Sequence, residues 1–73
     1  MSRAVAIGEE ALLEGWALAG VEIVPAGDAR SVQEAWESLD PDVVLVVLTP
    51  SARTALGRKL DAEAETMWVS LPE

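Results

Sequence analysis

The stretch "VVLVVLTP" (Val43–Pro50) decides how this chain folds. From Val43 to Leu48 every residue is valine or leucine, so neither of the two faces that alternate along a strand carries a polar group. A strand apolar on both faces belongs in a parallel sheet with helices packed on each side, and it should lie in the middle of that sheet. Thr49 and Pro50 then supply an N-cap and a first-turn proline. They predict a helix to about Leu60 with Ala52, Ala55, Leu56 and Leu60 on its inner face.

Moving outward toward the N-terminus, "SVQE" (Ser31–Glu34) has the form of a capping box. Val32, Ala35, Trp36 and Leu39 follow at helical spacing, with acids opposite. Asp40-Pro41 ends that helix. Farther out, "RAVAI" (Arg3–Ile7) reads as a buried strand closed by Gly8, and "VEIVP" (Val21–Pro25) as a second strand. Between them Glu9 and Glu10 favour a helix start, Leu12, Leu13, Trp16 and Ala17 form its apolar face, and Gly20 stops it. The separation suits a helical crossover between parallel strands rather than a hairpin.

Toward the C-terminus, Asp61–Glu65 reads as an acidic, solvated connection. "TMWVSL" (Thr66–Leu71) sets Met67, Val69 and Leu71 against Trp68 and Ser70, the alternation of a half-covered edge strand. The element order βαβαβαβ predicts one α/β domain over residues 1–73, a three-layer flavodoxin-like or receiver-like fold. Its parallel four-stranded sheet takes the order 2-1-3-4 with right-handed crossovers.

Composition removes many activities. The chain has no cysteine and no histidine, so disulfides, cysteine nucleophiles and imidazole bases are absent by inventory. Thirteen acidic and five basic residues give a net charge of −8, which repels phosphate backbones and anionic lipid. Nucleic acid is therefore not an expected partner. The apolar runs fall far short of the ~20 residues that span a bilayer, and "MSRAVAIGEE" does not resemble a secretory signal, so a cytoplasmic chain is expected.

In such a sheet ligands bind beyond the carboxyl ends of the strands at the switch point, formed here by Gly8-Glu9-Glu10 and Thr49-Pro50-Ser51. A dinucleotide site needs a glycine-rich turn, whereas "IGEEAL" offers one glycine and two carboxylates where phosphate would sit. A receiver domain would match Glu9 and Glu10 with its paired acids. It would also need an aspartate at the end of strand 3, where Leu48-Thr49 stands. A receiver-like or ligand-binding signalling domain using Gly8–Glu10 and Thr49–Ser51 is thus the alternative reading. Asp40 and Asp42 are a weak candidate for a magnesium or calcium site beside the simpler reading of a capped turn. The serines and Thr54 have no base partner. No catalytic, cofactor or metal residues are expected. Trp36 reads as core, and Trp16 as either a core anchor or a partner contact.

One segment adds a family. "AVAIGEEALLEGWALAGVEIV" resembles the N-terminal signature of the F-subunit family of the V/A-type (vacuolar/archaeal-type) rotary ATPases, in which a strand ending in Ile-Gly precedes acids and a Gly-aromatic-x-Leu-Ala-Gly-Val segment. Gly15, Trp16, Leu18, Ala19, Gly20 and Val21 match that segment, with Trp16 where phenylalanine is usual. "DARSVQEAWESL" is similar to the family's second helix, and "VVLVVLTPSA" to its third strand. The resemblance implies a non-catalytic rotor component of the central stalk. Such a component is cytoplasmic, bound to the long coiled-coil stalk subunit, and serves ATP synthesis or hydrolysis coupled to ion or proton transport. The family's C-terminal helical extension has no counterpart up to Leu71-Pro72-Glu73.

Gly15 and Gly20 are expected to let the first helix lie close to the sheet and turn into strand 2, with Trp16 filling the space between. The surface expected to meet a partner comprises Gly15, Trp16, Ala19, Trp68, Ser70 and Leu71. Without a helix over strands 3 and 4 on the first helix's side, the isolated chain is expected to expose apolar residues and to self-associate as a homodimer.

Overall fold

A computed structural model describes residues 3–62 and 66–72, with the side chains of residues 17–19, 61 and 62 outside that description. Four parallel strands, β1 (Arg3–Gly8), β2 (Glu22–Pro25), β3 (Val43–Leu48) and β4 (Met67–Ser70), form one sheet in the order β2-β1-β3-β4. The architecture is the α/β fold that the element order predicts. Val43–Leu48 has a neighbour on each side, with Ile7 paired to Leu48 and Leu48 to Ser70.

One face of the sheet carries α2 (Ala29–Glu37), α3 (Pro50–Leu56) and the short α4 (Lys59–Ala62). The main core lies there: Val5, Ile7, Val46 and Leu48 from the sheet meet Val32 and Trp36 of α2, Ala52 and Leu56 of α3, and Leu60. Trp36 is core, as its stripe implies. The other face carries α1 (Glu10–Leu13) and a 3-10 segment (Glu14–Ala19), which pack over β1 and β2. Its core is smaller, built from Ala6, Leu13 and Val47 with Trp16, Val21, Ile23 and Leu71 half-buried around them.

Several local expectations are corrected. The first helix is α-helical for a single turn and then tightens to 3-10 geometry over Glu14–Ala19, a run that includes Gly15, a poor helix former. A Cβ placed on Gly15 would meet nothing within 4 Å, so the expected close approach to the sheet is absent. Gly20 does end the segment, at φ 84°, in a conformation that side chains with a Cβ adopt at a cost.

The cap of α2 is Asp28 rather than Ser31. Its carboxylate accepts from the Ser31 backbone N–H at 2.7 Å, and that bond holds the Asp28 pKa below the usual carboxylate value. The third helix stops at Leu56, where the Gly57 N–H bonds the Arg53 carbonyl, and resumes as α4. β3 is not covered evenly either, since Val44 is 47% exposed.

Candidate functional site

The switch-point corner is built from the ends of β1 and β3. Gly8 has a φ of 150°, and a Cβ there would come within 2.8 Å of the Thr49 Cβ and closer still to its Oγ1 and Cγ2. Only glycine lets the two strand ends approach this far. Thr49 is completely buried, as a capping threonine wedged beneath a strand end must be.

Glu9 turns its carboxylate into this corner. Its Oε1 accepts from the Thr49 hydroxyl at 2.8 Å and from the Ser51 hydroxyl at 2.6 Å. Thr49 Oγ1 in turn accepts from the Ala52 N–H at 3.3 Å, so the first turn of α3, the threonine and the carboxylate form one chain of hydrogen bonds. The Ser51 and Thr49 hydroxyls hold the Glu9 pKa below its ordinary value. The corner is thus closed on itself: the anion at the switch point is the protein's own carboxylate, and both hydroxyls are committed to it. The strand order alone brings Gly8–Glu10 and Thr49–Ser51 to one corner, but the bonds of Glu9 to the two hydroxyls span 40 and 42 residues of chain and have no signature in local spacing.

Beside the corner a cleft of about 230 Å³ runs between α2 and α3, with Asp28 and Ser51 on its rim. Both polar groups are already engaged, Asp28 by the α2 amide and Ser51 by Glu9. A larger groove of about 420 Å³ lies at the opposite end of the sheet against Trp36, Leu39, Val43 and Val44.

Asp40 and Asp42, weighed above as a metal pair, are engaged by a cation of the protein's own. They converge on Arg3, whose Nη1 lies 2.6 Å from Asp40 and 3.2 Å from Asp42 while Nη2 lies 2.8 Å from Glu22. The three carboxylates raise the Arg3 pKa above its usual value, with Asp40 the largest influence. Among the described residues no group of acidic side chains is arranged to hold a metal ion, and no helix is long and apolar enough to cross a membrane.

The six residues expected at a partner surface fall on two faces of the sheet. Trp16 is half-buried against the smaller core and Leu71 packs on the same side, with Gly15 exposed nearby in the 3-10 segment. The Ala19 side chain lies outside the described residues. Trp68 and Ser70 pair with Val46 and Leu48 and so project to the opposite face. There Trp68 packs against the main core, and the Arg53 guanidinium sits 5.7 Å from its ring centroid. Among the described residues of the sheet, those left uncovered on the α1 side are instead Met67, 71% exposed, and Val69, 47% exposed. The alternation in "TMWVSL" contained that signal. Leu12 of α1, expected on the apolar face of its helix, is 53% exposed as well. No protein-family model matches the chain, and no curated protein or solved structure does either.

Proposed function

We propose that this chain is a non-catalytic interaction domain of the kind found in the F-subunit family of the V/A-type rotary ATPases. In this reading it is a cytoplasmic part of the central stalk that binds the coiled-coil stalk subunit and helps couple ATP synthesis or hydrolysis to ion transport. The observation that carries the proposal is the contrast between the two places where such a fold can bind. The strand-end corner, where a ligand would sit, is filled by Glu9 with its hydroxyl donors committed. The sheet face over β3 and β4, by contrast, presents apolar side chains to solvent. The match of Gly15, Trp16 and Leu18–Val21 to the family's N-terminal signature supplies the family.

The signalling alternative loses the groups it needs. A phosphoryl group at Gly8–Glu10 and Thr49–Ser51 would have to displace Glu9 from two hydrogen bonds and sit beside a second acid, Glu10, whose charge opposes its own.

The test is sedimentation of the purified chain with the coiled-coil stalk subunit of a rotary ATPase, at about 10 μM of each, a concentration at which a micromolar interface is well populated. A co-migrating complex with no ATP hydrolysis by the chain alone is expected. Separate boundaries for the two proteins, or a saturable magnesium and acetyl phosphate response abolished by Glu9→Gln, would overturn the reading.

A further inference from the structure

The sheet face on the α1 side is half-covered. α1 and the 3-10 segment pack over β1 and β2, on the far side of β3 from β4. Strand pairing sets Leu45 beside Met67 and Val47 beside Val69, so the four share this face. Of these, Val47 is buried and Leu45 half-buried, while Met67 and Val69 are the outermost and most exposed. With strands ~4.8 Å apart and a helix ~10 Å across, the open strip over β3 and β4 has the width of one helix lying beside α1.

Charge decides what kind of helix. All five basic residues lie elsewhere: Arg3 is held by Glu22, Asp40 and Asp42, and Arg30, Arg53, Arg58 and Lys59 belong to the α2–α4 layer on the opposite face. Arg30, Lys59 and Arg53 are further engaged by Glu34, Glu37 and the Trp68 ring. The layer that borders the open strip carries Glu9, Glu10 and Glu14 and no lysine or arginine. The strip is therefore apolar, and the charged groups described in the layer beside it are acidic.

We propose that this strip docks an amphipathic helix of a partner protein, with an apolar stripe that covers Leu45, Met67 and Val69 and with lysines or arginines that meet Glu10 and Glu14. The proposal rests on the reading of the chain as an interaction domain and names the surface and the chemistry of its partner. A second copy is the wrong occupant. A two-fold pairing through this face would bring two acidic borders together between bodies that each carry −8. A basic helix gains from the same field, both in steering and in specificity.

The probe is a fluorescently labelled synthetic helix of about 18 residues, or five turns, with leucine at i, i+3, i+4 and i+7 and lysine on the flanks. A counterpart carries glutamate on the flanks. Fluorescence anisotropy should show binding of the lysine peptide only, weakened by rising salt and reduced about tenfold or more by Met67→Glu or Val69→Glu. Val44→Glu, at an exposed position beside the Trp36 groove on the other face, should leave it unchanged. All three positions are exposed, and circular dichroism of each variant checks that the fold is kept. Equal binding of both peptides, equal loss in Val44→Glu, or a peptide-free dimer that Met67→Glu dissociates would overturn the proposal. The same variants separate it from the stalk reading. A stalk complex that survives Met67→Glu leaves the stalk reading standing and refutes this surface. Peptide binding lost in Met67→Glu without any stalk complex does the reverse.

Discussion

Glu9 spends its charge on two hydroxyls that arrive from the far side of the β1–β3 junction, and this has a measurable pH consequence. Its folded pKa is depressed by Ser51 and Thr49, so its contribution to stability is complete above the unfolded value, ~4.3, and fades as pH falls through the lower folded value. Urea titrations should show Glu9→Gln less stable than wild type at pH 7, with the gap closing as pH falls below the unfolded carboxylate value of ~4.3. A gap that stays constant there would mean that the carboxylate charge is not what the hydroxyls hold. Beneath Glu9, Gly8 makes the corner possible. Gly8→Ala would drive a Cβ into Thr49 at a φ of 150°, so strain and overpacking together should cost about 2 kcal/mol or more. An unfolding midpoint within error of wild type would show that the two strand ends can separate freely.

At the level of elements, the 3-10 segment carries the most instructive departure. Gly15 beside Trp16 invites the idea of a close helix-to-sheet contact, yet the space around Gly15 is open and Trp16 alone reaches the smaller core. Gly15→Ala should therefore raise stability by a few tenths of a kcal/mol, up to about 1, by restricting the unfolded chain. A loss of stability on thermal or urea unfolding would restore the close-contact idea. The strands were legible because burial on one or both faces leaves its period in the side chains: Val43–Leu48 is apolar throughout, and Met67–Leu71 alternates. The start of α2 was harder. Asp28 and Ser31 are both good caps three residues apart, and only the backbone decides that Asp28 accepts from Ser31. The Glu9 corner was legible as a place, since the strand order puts Gly8–Glu10 beside Thr49–Ser51, but not its hydrogen bonds, and the Arg3 cluster was not legible at all, because it joins residues that local spacing cannot bring together.

Over the whole molecule, charge and size act together. The chain measures 30 × 29 × 20 Å and carries −8, so at 0.01 M salt, where the Debye length is ~30 Å, every charge acts on every other. At 0.15 M it falls to ~8 Å, and only local pairs remain coupled. The long-range sum is repulsive because acids outnumber bases thirteen to five, whereas the local ion pairs around Arg3, Arg30 and Lys59 are attractive but exposed and individually weak. Repulsion should win, and the melting temperature of the wild type should rise between these two salt concentrations. Arg3 provides the internal control, since it stands alone among Glu22, Asp40 and Asp42 where the amino ends of β1, β2 and β3 meet. Arg3→Met keeps the aliphatic stem and leaves the three carboxylates facing one another. That variant should melt below wild type at low salt and gain more from added salt, yet stay below wild type at 0.15 M, because the three carboxylates around one guanidinium lie within the ~8 Å over which charges remain coupled. Calorimetry in which wild-type stability falls with salt would show that the local ion pairs outweigh the net charge. A deficit in Arg3→Met that salt leaves untouched would assign the role of Arg3 to its short-range hydrogen bonds with Asp40, Asp42 and Glu22 rather than to relief of charge repulsion.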